Sequence, residues 1–515
     1  MPSTKTTSRV GGALVAVTTF LGVAVAPVSA APAASAPIPD GPALARQLVR
    51  KVDVANTNRH LIALQRLADR SGRNRAAGTA GHIASAEYIA TKLEAAGFVV
   101  ERQEFPFVYD ETRGQSLTVN GVTVPIIRMS YSNSTPAGGV TSTLHVVPLD
   151  ATPGCEATDF AGAAGKVALV QRGGCTFGQK AVSAAEAGAL AVIVYNNVPG
   201  SVNGTLGAPV PAAAPAGGVT QADGQALSTQ NGAPVTINLQ GFMEDRTSYN
   251  VVAETKTGKK NNVVMAGAHL DSVSVGPGIN DNGSGSAALL ETALQLGSSP
   301  AVNNTVRFAW WSAEELGLVG SEYYVQNLDF EQQLDIALYL NFDMIGSPNA
   351  GYFVFDGDDS DGVGAGAGPY GSAQIEAAFT SYFDYVGIPL EGKDFDGRSD
   401  YGEFILNGIP AGGLFTGAEV VKTEAQVEKW GGIAGQAYDP CYHQACDNLG
   451  NIDRVALDAN SDAIAFVLGS YAISTEDING VPARASRAKT RAAAARSAAA
   501  SLAGAEADDH HGVLI

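Results

Sequence analysis

After Ser248 the chain alternates short apolar strands with helices, and this alternation restricts its fold more than any other feature. The strand motifs NVVAET, NVVMAGA, TVRFAWW and ALYLNFD surround a helical stretch, SAALLETALQL. Strands that alternate with helices form a mostly parallel sheet with helices on both faces. Nearer the amino terminus, Ala84–Ala96 has helical spacing and leads through Gly97 into the alternating strand FVVERQEF. We therefore predict an α/β fold with a mostly parallel central sheet.

The segment between Gly139 and Gly241 differs from its surroundings. It has short β-branched runs, many Gly, Pro and Ala residues, and one helical stretch, Lys180–Ala189. A chain of 515 residues is also too long for one ordinary domain. We predict an α/β domain over residues 41–110 and 246–475, interrupted by a β-rich module over residues 111–245.

The amino terminus has the features of a secretory signal peptide. Lys5 and Arg9 precede an apolar stretch, Gly11–Ala26, and the small residues Val28-Ser29-Ala30 form a cleavage site. The alternative is an anchoring helix, but the apolar stretch is shorter than the roughly 20 residues that span a bilayer. We expect residues 1–30 to be removed and the protein to be secreted and extracellular, with no stable membrane insertion.

The carboxyl terminus, residues 476–515, contains an Ala-rich tract, Pro482–Leu502, that has basic residues and no acid. We expect a solvated extension, partly helical or disordered; a removable pro-segment and a wall-binding arm are the alternatives. The net charge of the whole chain is −19, which argues against a basic phosphate-binding surface and against a nucleic-acid partner. The basic residues of the tract are Arg484, Arg487, Lys489, Arg491 and Arg496.

Four cysteines in a secreted protein predict two disulfide bonds, and four cysteines allow three pairings. Cys441 and Cys446 flank His443 in CYHQAC, so a bond between them would close a tight loop around that histidine. Cys155 and Cys175 then remain to pair. The alternative is a metal site made by all four, but their spacing is not that of a zinc ribbon.

Potential metal ligands follow the apolar strands directly. In open α/β sheets the active site lies at the carboxyl ends of the strands, so these positions predict a shared site. The side chains at the strand ends are His269, Asp271, Glu314, Glu315 and Asp343; Asp281 lies in the next loop, at the start of a helix, and His443 lies in the cysteine loop. Two His, two Asp and one Glu from this set, without a thiolate, suit zinc, with manganese or cobalt as substitutes.

The ligand set predicts two metal ions. Two cations about 3.5 to 4 Å apart need an anion between them, and we assign Asp281 to that bridge. Each ion then takes one histidine and one terminal carboxylate. Glu314 stays unligated, and an unligated carboxylate beside activated water is a general base.

Six motifs in order resemble peptidase family M28, and most closely its secreted actinomycete aminopeptidases of the leucine type. They are GAHLDSVSVGPGINDNGSGSAALLE, RFAWWSAEELGLVGS, YLNFDMIGSPN, DGRSDYGEF, GGLFTGAE and CYHQACDNL. The resemblance implies a zinc-exopeptidase fold of the phosphorylase/hydrolase-like type. It implies two zinc ions, one held by His269 and Asp343 and the other by Glu315 and His443, with Asp281 as the bridge and Glu314 in proton transfer.

The insertion also resembles a known module. The stretch VALVQRGGCTFGQKAVSAAEAGALAVIVYNN is similar to the protease-associated, or PA, domain that interrupts some M28 chains, where Cys175 would pair with Cys155. Such a domain would cover the rim of the active site or help to choose substrates, and the alternative is a passive spacer.

The resemblance to M28 aminopeptidases implies hydrolysis of the amino-terminal peptide bond of peptides and proteins, with a preference for large apolar residues such as Leu. Tyr442 would stabilise the oxyanion. The substrate amine would be held by Glu314, Asp343 and the main-chain carbonyl of Arg398. Asp271 would accept the ring N–H of His269.

Further expectations rest on weaker matches. Met344 and Phe415 resemble residues that line an apolar specificity pocket. Asp458 and Asp462 match acids that bind calcium in close relatives, although acids four apart on a helix are often only solvated. The Gly-rich stretch Asp356–Gly371 is interpreted as a flexible insertion.

Three other functions fit parts of this pattern. A carboxypeptidase or dipeptidase would use the same ligands, and a glutaminyl cyclase would use one zinc. A receptor-like M28 relative would bind without hydrolysis, although such relatives have lost ligands that are complete here. We expect a monomer.

Overall fold

A computed structural model describes residues 42–198, 200–202, 204–364, 366–479 and 484–492. The predicted signal peptide lies outside these residues. The helices are α1 (Pro42–Lys51), α2 (Val54–Arg70), α3 (Ala80–Ala95), α4 (Phe177–Glu186), α5 (Gln221–Ser228), α6 (Gly283–Leu296), α7 (Val319–Gln326), α8 (Phe330–Asp335), α9 (Ser372–Val386), α10 (Gly402–Leu406), α11 (Glu424–Trp430), α12 (Arg454–Tyr471) and α13 (Glu476–Asn479).

The strands form one continuous hydrogen-bonded array that runs through both parts of the molecule. They are β1 (Val99–Val119), β2 (Val122–Val124), β3 (Ile127–Arg128), β4 (Val140–Val146), β5 (Val167–Gln171), β6 (Ala191–Tyr195), β7 (Ala216–Val219), β8 (Pro234–Glu254), β9 (Lys259–His269), β10 (Asn304–Trp311), β11 (Ile336–Phe342), β12 (Phe353–Phe355), β13 (Glu391–Lys393) and β14 (Ala411–Phe415).

The α/β part has the predicted mostly parallel centre. Its strand order is β13-β12-β14-β11-β9-β10-β8, with β1 beside β8. The central strands β14, β11, β9 and β10 are parallel, whereas β8 and β1 add antiparallel pairing at one side. Both faces of this sheet are covered by core residues. Successive residues of a strand point to opposite faces, so each strand contributes to both cores. On β9, Val264 and Ala266 join the core beneath α2, α6 and α12, and Val263 and Met265 join the core on the other face.

The inserted part is also built on parallel strands. Strands β4, β5, β6 and β7 are parallel, with β8 antiparallel to β4 and β3 antiparallel to β7. Helix α4 corresponds to the predicted helix, but α5 was not predicted. This eight-residue helix contains Gly224, a poor helix former. Gly224 is needed there because a Cβ atom would lie 2.0 Å from the Cβ of Tyr195, so the helix could not approach β6.

The α/β part and the insertion share two long strands. Strands β1 and β8 have 21 residues each and pair antiparallel along nearly their whole lengths. The predicted domain boundaries after residues 110 and 245 therefore fall inside continuous strands. Their register shifts between Thr112 and Gly114, close to those boundaries.

The carboxyl-terminal segment 484–492 is a helix that packs against the α/β part. Arg487 and Arg491 are each 3% exposed, and their guanidinium groups donate to the main-chain oxygens of Asp335 and Ile336, at the end of α8 and the start of β11. Cationic side chains favour the carbonyl end of a helix. The helix agrees with the partly helical extension that was expected, but the burial of these two side chains contradicts a solvated one, and Ile478 and Asn479 in α13 are buried as well. Residues 480–483 and 493–515 lie outside the described part. No helix among the described residues is long and apolar enough to cross a membrane.

Candidate active site

The predicted ligands meet at the carboxyl edge of the central sheet. His269 ends β9, Glu314 and Glu315 form a 3-10 turn after β10, and Asp343 follows β11. These three strands are adjacent and parallel, so their ends bring the side chains together. Asp281 lies two residues before α6.

Asp281 stands between the two histidines. Its Oδ1 atom is 3.3 Å from the Nε2 atom of His269, and its Oδ2 atom is 3.2 Å from the Nε2 atom of His443. Each histidine has one further carboxylate partner: Asp343 Oδ1 is 3.3 Å from His269 Nε2, and Glu315 Oε2 is 3.0 Å from His443 Nε2. The five side chains therefore form two groups that share one carboxylate.

The two groups fit a pair of zinc ions. Ligands that surround one ion tetrahedrally at 2.0 to 2.1 Å are about 3.3 Å from one another, close to the separations found here. The Oε1 atom of Glu315 is buried and has no hydrogen-bond partner among the described residues, as expected of an oxygen that faces a cation. Glu314 Oε2 is 3.8 Å from His269 Nε2 and lies beside the first group.

Burial dominates the electrostatics of the site. It raises the pKa of Glu314 well above its usual range; positive His269 opposes this shift, and Asp343 adds to it. The pKa of Glu315 is raised in the same way, mainly by burial. Burial alone would lower the pKa of His443, but Glu315 and Asp281 raise it to about 10. So many buried carboxylates need compensating positive charge, which metal ions supply.

Asp271 has a different partner from the one expected. Its carboxylate is 3.8 Å from the Nδ1 atom of His269, too far for a hydrogen bond, whereas its main-chain oxygen is 3.2 Å from that atom. The carboxylate instead accepts the backbone N–H groups of Glu314 and Glu315, at 3.3 and 3.4 Å. In this structure the main-chain oxygen of Asp271, and not its carboxylate, lies within hydrogen-bond distance of the His269 ring. Asp271 supports the turn that carries the two glutamates.

Left-handed backbone conformations cluster around the site. Ala313, Leu318, Met344 and His443 all have positive φ angles, between 47° and 60°. Such conformations are strained for residues other than glycine, and they persist where surrounding contacts enforce them. None was predictable from side-chain type.

The loop that carries His443 is tied to the loop that carries Asp281. A disulfide bond joins Cys441 to Cys446, and a second joins Cys155 to Cys175, so both predicted pairs are confirmed. Asp447 accepts the backbone N–H of Asp281 at 3.0 Å. Asp439 accepts both the side-chain amide of Asn280 at 2.7 Å and the backbone N–H of Cys441 at 2.8 Å. Sequence reasoning missed Asp439 and Asp447, which occur as single acids in loops.

A cavity of about 360 Å³ opens beside the ligands. Its walls include the two predicted pocket residues, Met344 and Phe415. They also include aromatic residues that sequence reasoning missed, because β12 is only three residues long and Tyr438 lies in a loop. The aromatic residues added by the structure are Phe353, Phe355, Tyr401 and Tyr438.

Tyr442 and Arg398 lie together at the cavity wall. The phenol oxygen of Tyr442 accepts a hydrogen bond from the Arg398 guanidinium at 3.1 Å, and Arg398 also pairs with Glu419 at 2.7 Å. Burial raises the pKa of Tyr442 well above its usual range, and Arg398 opposes that shift. Ser399, next in the chain, donates to Asp343 Oδ2 at 2.6 Å and was also missed.

Among the described residues, Asp458 and Asp462 are in none of the groups of three or more His, Cys and acidic side chains that are close enough to share an ion. Three groups of His and acidic side chains in the described part of the chain are close enough to share an ion, two of them in the site above. The third consists of Asp356, Asp358 and Glu376. The Asp356 carboxylate there accepts backbone N–H groups of its own loop, including that of Asp358 at 3.3 Å. Calcium at Asp458 and Asp462 remains a prediction.

Comparison with known proteins identifies the family. Residues 250–468 match the sequence profile of peptidase family M28, and residues 140–227 match that of the PA domain. A probable lipoprotein aminopeptidase of Mycobacterium tuberculosis is 46% identical over 464 residues, which cover 88% of this chain and 93% of that protein. The chain belongs to peptidase family M28.

Other relatives of this M28 peptidase are also named aminopeptidases. Leucine aminopeptidase 2 of Trichophyton rubrum is 46% identical over 417 residues, covering 80% of this chain and 82% of that protein. The structure of a zinc aminopeptidase from Bacillus subtilis superposes with a TM-score of 0.61 at 27% identity, covering 82% of this chain and 96% of that one. The predictions of an M28 zinc metalloaminopeptidase, of its α/β fold and of an inserted PA domain are confirmed.

Proposed function

We propose that this M28 peptidase is a two-zinc aminopeptidase that removes amino-terminal residues, preferably large apolar ones such as Leu, from peptides and proteins. The observation that carries the proposal is Asp281, whose two oxygens face two different histidines at 3.3 and 3.2 Å. Each histidine has its own terminal carboxylate, Asp343 or Glu315, so the set is complete for two ions that share one bridge.

Zinc ions bound there would polarise the scissile carbonyl and lower the pKa of the attacking water. Glu314 would take the proton of that water and deliver it to the leaving amine. The backbone of Glu314 is held by Asp271, which supports a fixed position for the base.

Tyr442 would donate its phenol proton to the oxyanion that forms on the substrate. Its oxygen already accepts a hydrogen bond from Arg398, so its own proton is free to point toward the substrate. The ion pair between Arg398 and Glu419 keeps the guanidinium in place. Arg398 would thus act through its side chain as well as through the main-chain carbonyl.

The apolar cavity would hold the side chain of the amino-terminal residue. Met344 and Phe415 lie on its walls with Glu314 and Asp343, so an apolar side chain and a free amine can be bound at the same time. We assign the amine to Glu314, Asp343 and the main-chain carbonyl of Arg398. The name of the leucine aminopeptidase relative supports this preference.

The test compares leucine p-nitroanilide with its N-acetylated form. We expect cleavage of the free-amine compound only, loss of cleavage on chelation, and recovery on addition of zinc, with two zinc ions per chain by metal analysis. Cleavage of N-blocked peptides from their carboxyl ends would instead indicate a carboxypeptidase. Cyclisation of amino-terminal glutamine would indicate a cyclase, and two bound zinc ions without hydrolysis would indicate a binding protein.

We also propose that the protein acts outside the cell as a monomer. The positive start, apolar stretch and small-residue site within residues 1–30 support export. The two disulfide bonds support an oxidising location. The amino-terminal sequence of the secreted protein would test the cleavage after Ala30.

A further inference from the structure

We propose that Tyr131 of the inserted domain is a positioning residue for the turn that carries Glu314 and Glu315. Its phenol group donates a hydrogen bond to the main-chain oxygen of Leu316, the last residue of that turn, at 2.8 Å. Tyr131 is 5% exposed, and its contact with Leu316 is partly buried. The inference rests on the proposed roles of Glu314 as base and Glu315 as ligand, and it gives the insertion a part in catalysis.

The turn depends on contacts from outside itself. It spans three residues, Glu314–Leu316, between the left-handed residues Ala313 and Gly317. In the described part of the chain, two side chains form hydrogen bonds to its backbone. Asp271 accepts the N–H groups of the two glutamates over long distances, 3.3 and 3.4 Å, and Tyr131 donates to the other end. The hydrogen bond from Tyr131 is the shorter and better defined of these supports.

Tyr131 is itself held by hydrogen bonds where the insertion meets the α/β part. Its backbone N–H donates to Asp110 at 3.1 Å, and Asp110 accepts two hydrogen bonds from the Arg128 guanidinium at 2.8 and 2.9 Å. This bidentate ion pair is almost wholly buried. Gly241 makes room for it, because a Cβ atom there would lie 2.1 Å from the Arg128 Nη2 atom.

Apolar contacts extend the same junction. Leu316 packs against a cluster that includes Phe105, Phe107 and Tyr109 of β1, and Phe242 of β8 packs against the same cluster. The strands that lead into and out of the insertion therefore form the surface on which the turn rests. A passive spacer would not need to reach the backbone of a catalytic turn.

Loss of the phenol hydroxyl should change the position of the glutamates rather than the binding of substrate. The oxygen of Leu316 would lose a partner, and the turn could relax to satisfy it elsewhere. Small displacements of a base or ligand reduce the rate of the chemical step strongly. For Tyr131→Phe we expect kcat to fall by about five- to tenfold with KM within about twofold of the original enzyme.

The matched control is Tyr471→Phe. Tyr471 is also buried, and its hydroxyl also donates to a main-chain oxygen, that of Gln374 at 3.1 Å, but it lies in α12 and does not line the cavity. Both variants lose one hydroxyl and one hydrogen bond. Steady-state kinetics with leucine p-nitroanilide at saturating zinc should show the fall in kcat for Tyr131→Phe only, and an unchanged kcat in Tyr131→Phe would overturn the inference.

A second measurement does not depend on the reaction. Because Glu315 belongs to the same turn, competition with a zinc chelator should show severalfold weaker binding of one zinc ion in Tyr131→Phe and unchanged binding in Tyr471→Phe. Equal zinc affinities in the two variants would contradict the positioning role. If the unmodified enzyme does not cleave the leucine substrate, the proposed function fails, but the zinc titration still decides the role of Tyr131.

Discussion

The α/β part and the inserted domain each contain four parallel strands flanked by helices, yet they present different residues at the strand ends. In the α/β part, β9, β10 and β11 lead to His269, Glu314 and Asp343. In the insertion, β5 and β6 lead to Arg172 and Asn196, which hydrogen-bond to each other at 3.4 Å. Among the described residues, no group of His and acidic side chains that could share an ion lies in the insertion. The two parts therefore share an architecture but differ in the side chains that follow their strands.

The difference also extends to backbone geometry. The turn after β10 begins at the left-handed Ala313, and His443 is left-handed as well, whereas Asn196, which follows β6, is not. In the insertion, Tyr131, which contacts the glutamate turn, is left-handed too, so strained conformations occur on both sides where contacts fix that turn. Comparable substitutions in the two parts should therefore have very different effects.

The largest difference is expected for the general base. Glu314→Gln should lower kcat by about 10³-fold, because the amide cannot take the proton of the attacking water. The matched change at a strand end of the insertion, Asn196→Ala, should leave kcat within about twofold. Steady-state kinetics and zinc analysis of both variants provide the test. A Glu314→Gln enzyme with more than a tenth of the original kcat would remove this residue from proton transfer.

The second comparison concerns the oxyanion. Tyr442→Phe should lower kcat by about a hundredfold, because one donor to the developing charge is lost while the ring is kept. Arg398→Met should lower kcat less, by about tenfold, since it removes the partner that orients Tyr442. Arg172→Met in the insertion is the control for loss of a guanidinium and should have little effect. If Tyr442→Phe changes KM alone, the hydroxyl binds substrate without stabilising the transition state.

Removing the Cys155–Cys175 bond should reduce stability more than removing the Cys441–Cys446 bond, whereas activity should fall more when the second bond is removed. The Cys155–Cys175 bond closes a longer loop than the Cys441–Cys446 bond, with sequence separations of 20 and 5. Loop entropy then predicts that Cys→Ser replacement of the first pair costs about 3 kcal/mol of unfolding free energy, and of the second about 2 kcal/mol. Activity and zinc affinity should fall mainly for the second pair, which encloses His443. Urea unfolding and zinc titration would measure both rankings, and parallel rankings would contradict the prediction.

The smallest effect concerns pH and compares His82 of the α/β part with His145 of the insertion. Burial lowers the pKa of His82 to about 4, whereas the ordinary value is about 6.5. Between these values the unfolded chain binds a proton that the folded protein does not, so stability is complete above pH 6.5 and is lost as the pH falls toward 4. The loss between pH 7 and 5 is about 2 kcal/mol.

The checking measurement is urea unfolding at pH 7 and pH 5 with zinc present. His82→Gln should remove this part of the pH dependence. His145 is half-buried, and burial lowers its pKa too, but its solvent contact makes the expected contribution small. Equal pH dependence in His82→Gln and in the unmodified enzyme would show that His82 is not held neutral.

The sequence predicts the candidate ligands and the candidate base of the site better than it predicts the contacts that hold those residues in place. Apolar strands of the α/β part end just before His269, the Glu314–Glu315 pair and Asp343, and the cysteine loop marks His443, so local pattern predicts these candidate site residues. The contacts that hold them come from distant segments. Asp447 accepts a hydrogen bond from the backbone of Asp281, and Tyr131 donates one to the backbone of Leu316. Both pairs are far apart in the chain, so no local sequence pattern could predict them.

Local propensity also misled at two places. Gly224 weakens the helical pattern of α5, although the close packing against β6 requires it. The basic, Ala-rich segment 484–492 has the composition of a solvated tail, yet Arg487 and Arg491 bind main-chain oxygens at the amino ends of the central strands. In both cases tertiary contacts decided the outcome.

The pairing of β1 with β8 has a consequence for the order in which the protein can assemble. Strand β1 emerges from the ribosome first, and the whole inserted domain must be synthesised before β8 is available. Closing such a long loop in an unfolded chain carries an entropic cost that grows with its length. An insertion that folds on emergence would bring the ends of the two strands together and remove most of that cost. The inserted domain would then help the central sheet of the α/β part to form during synthesis, before the enzyme binds any substrate.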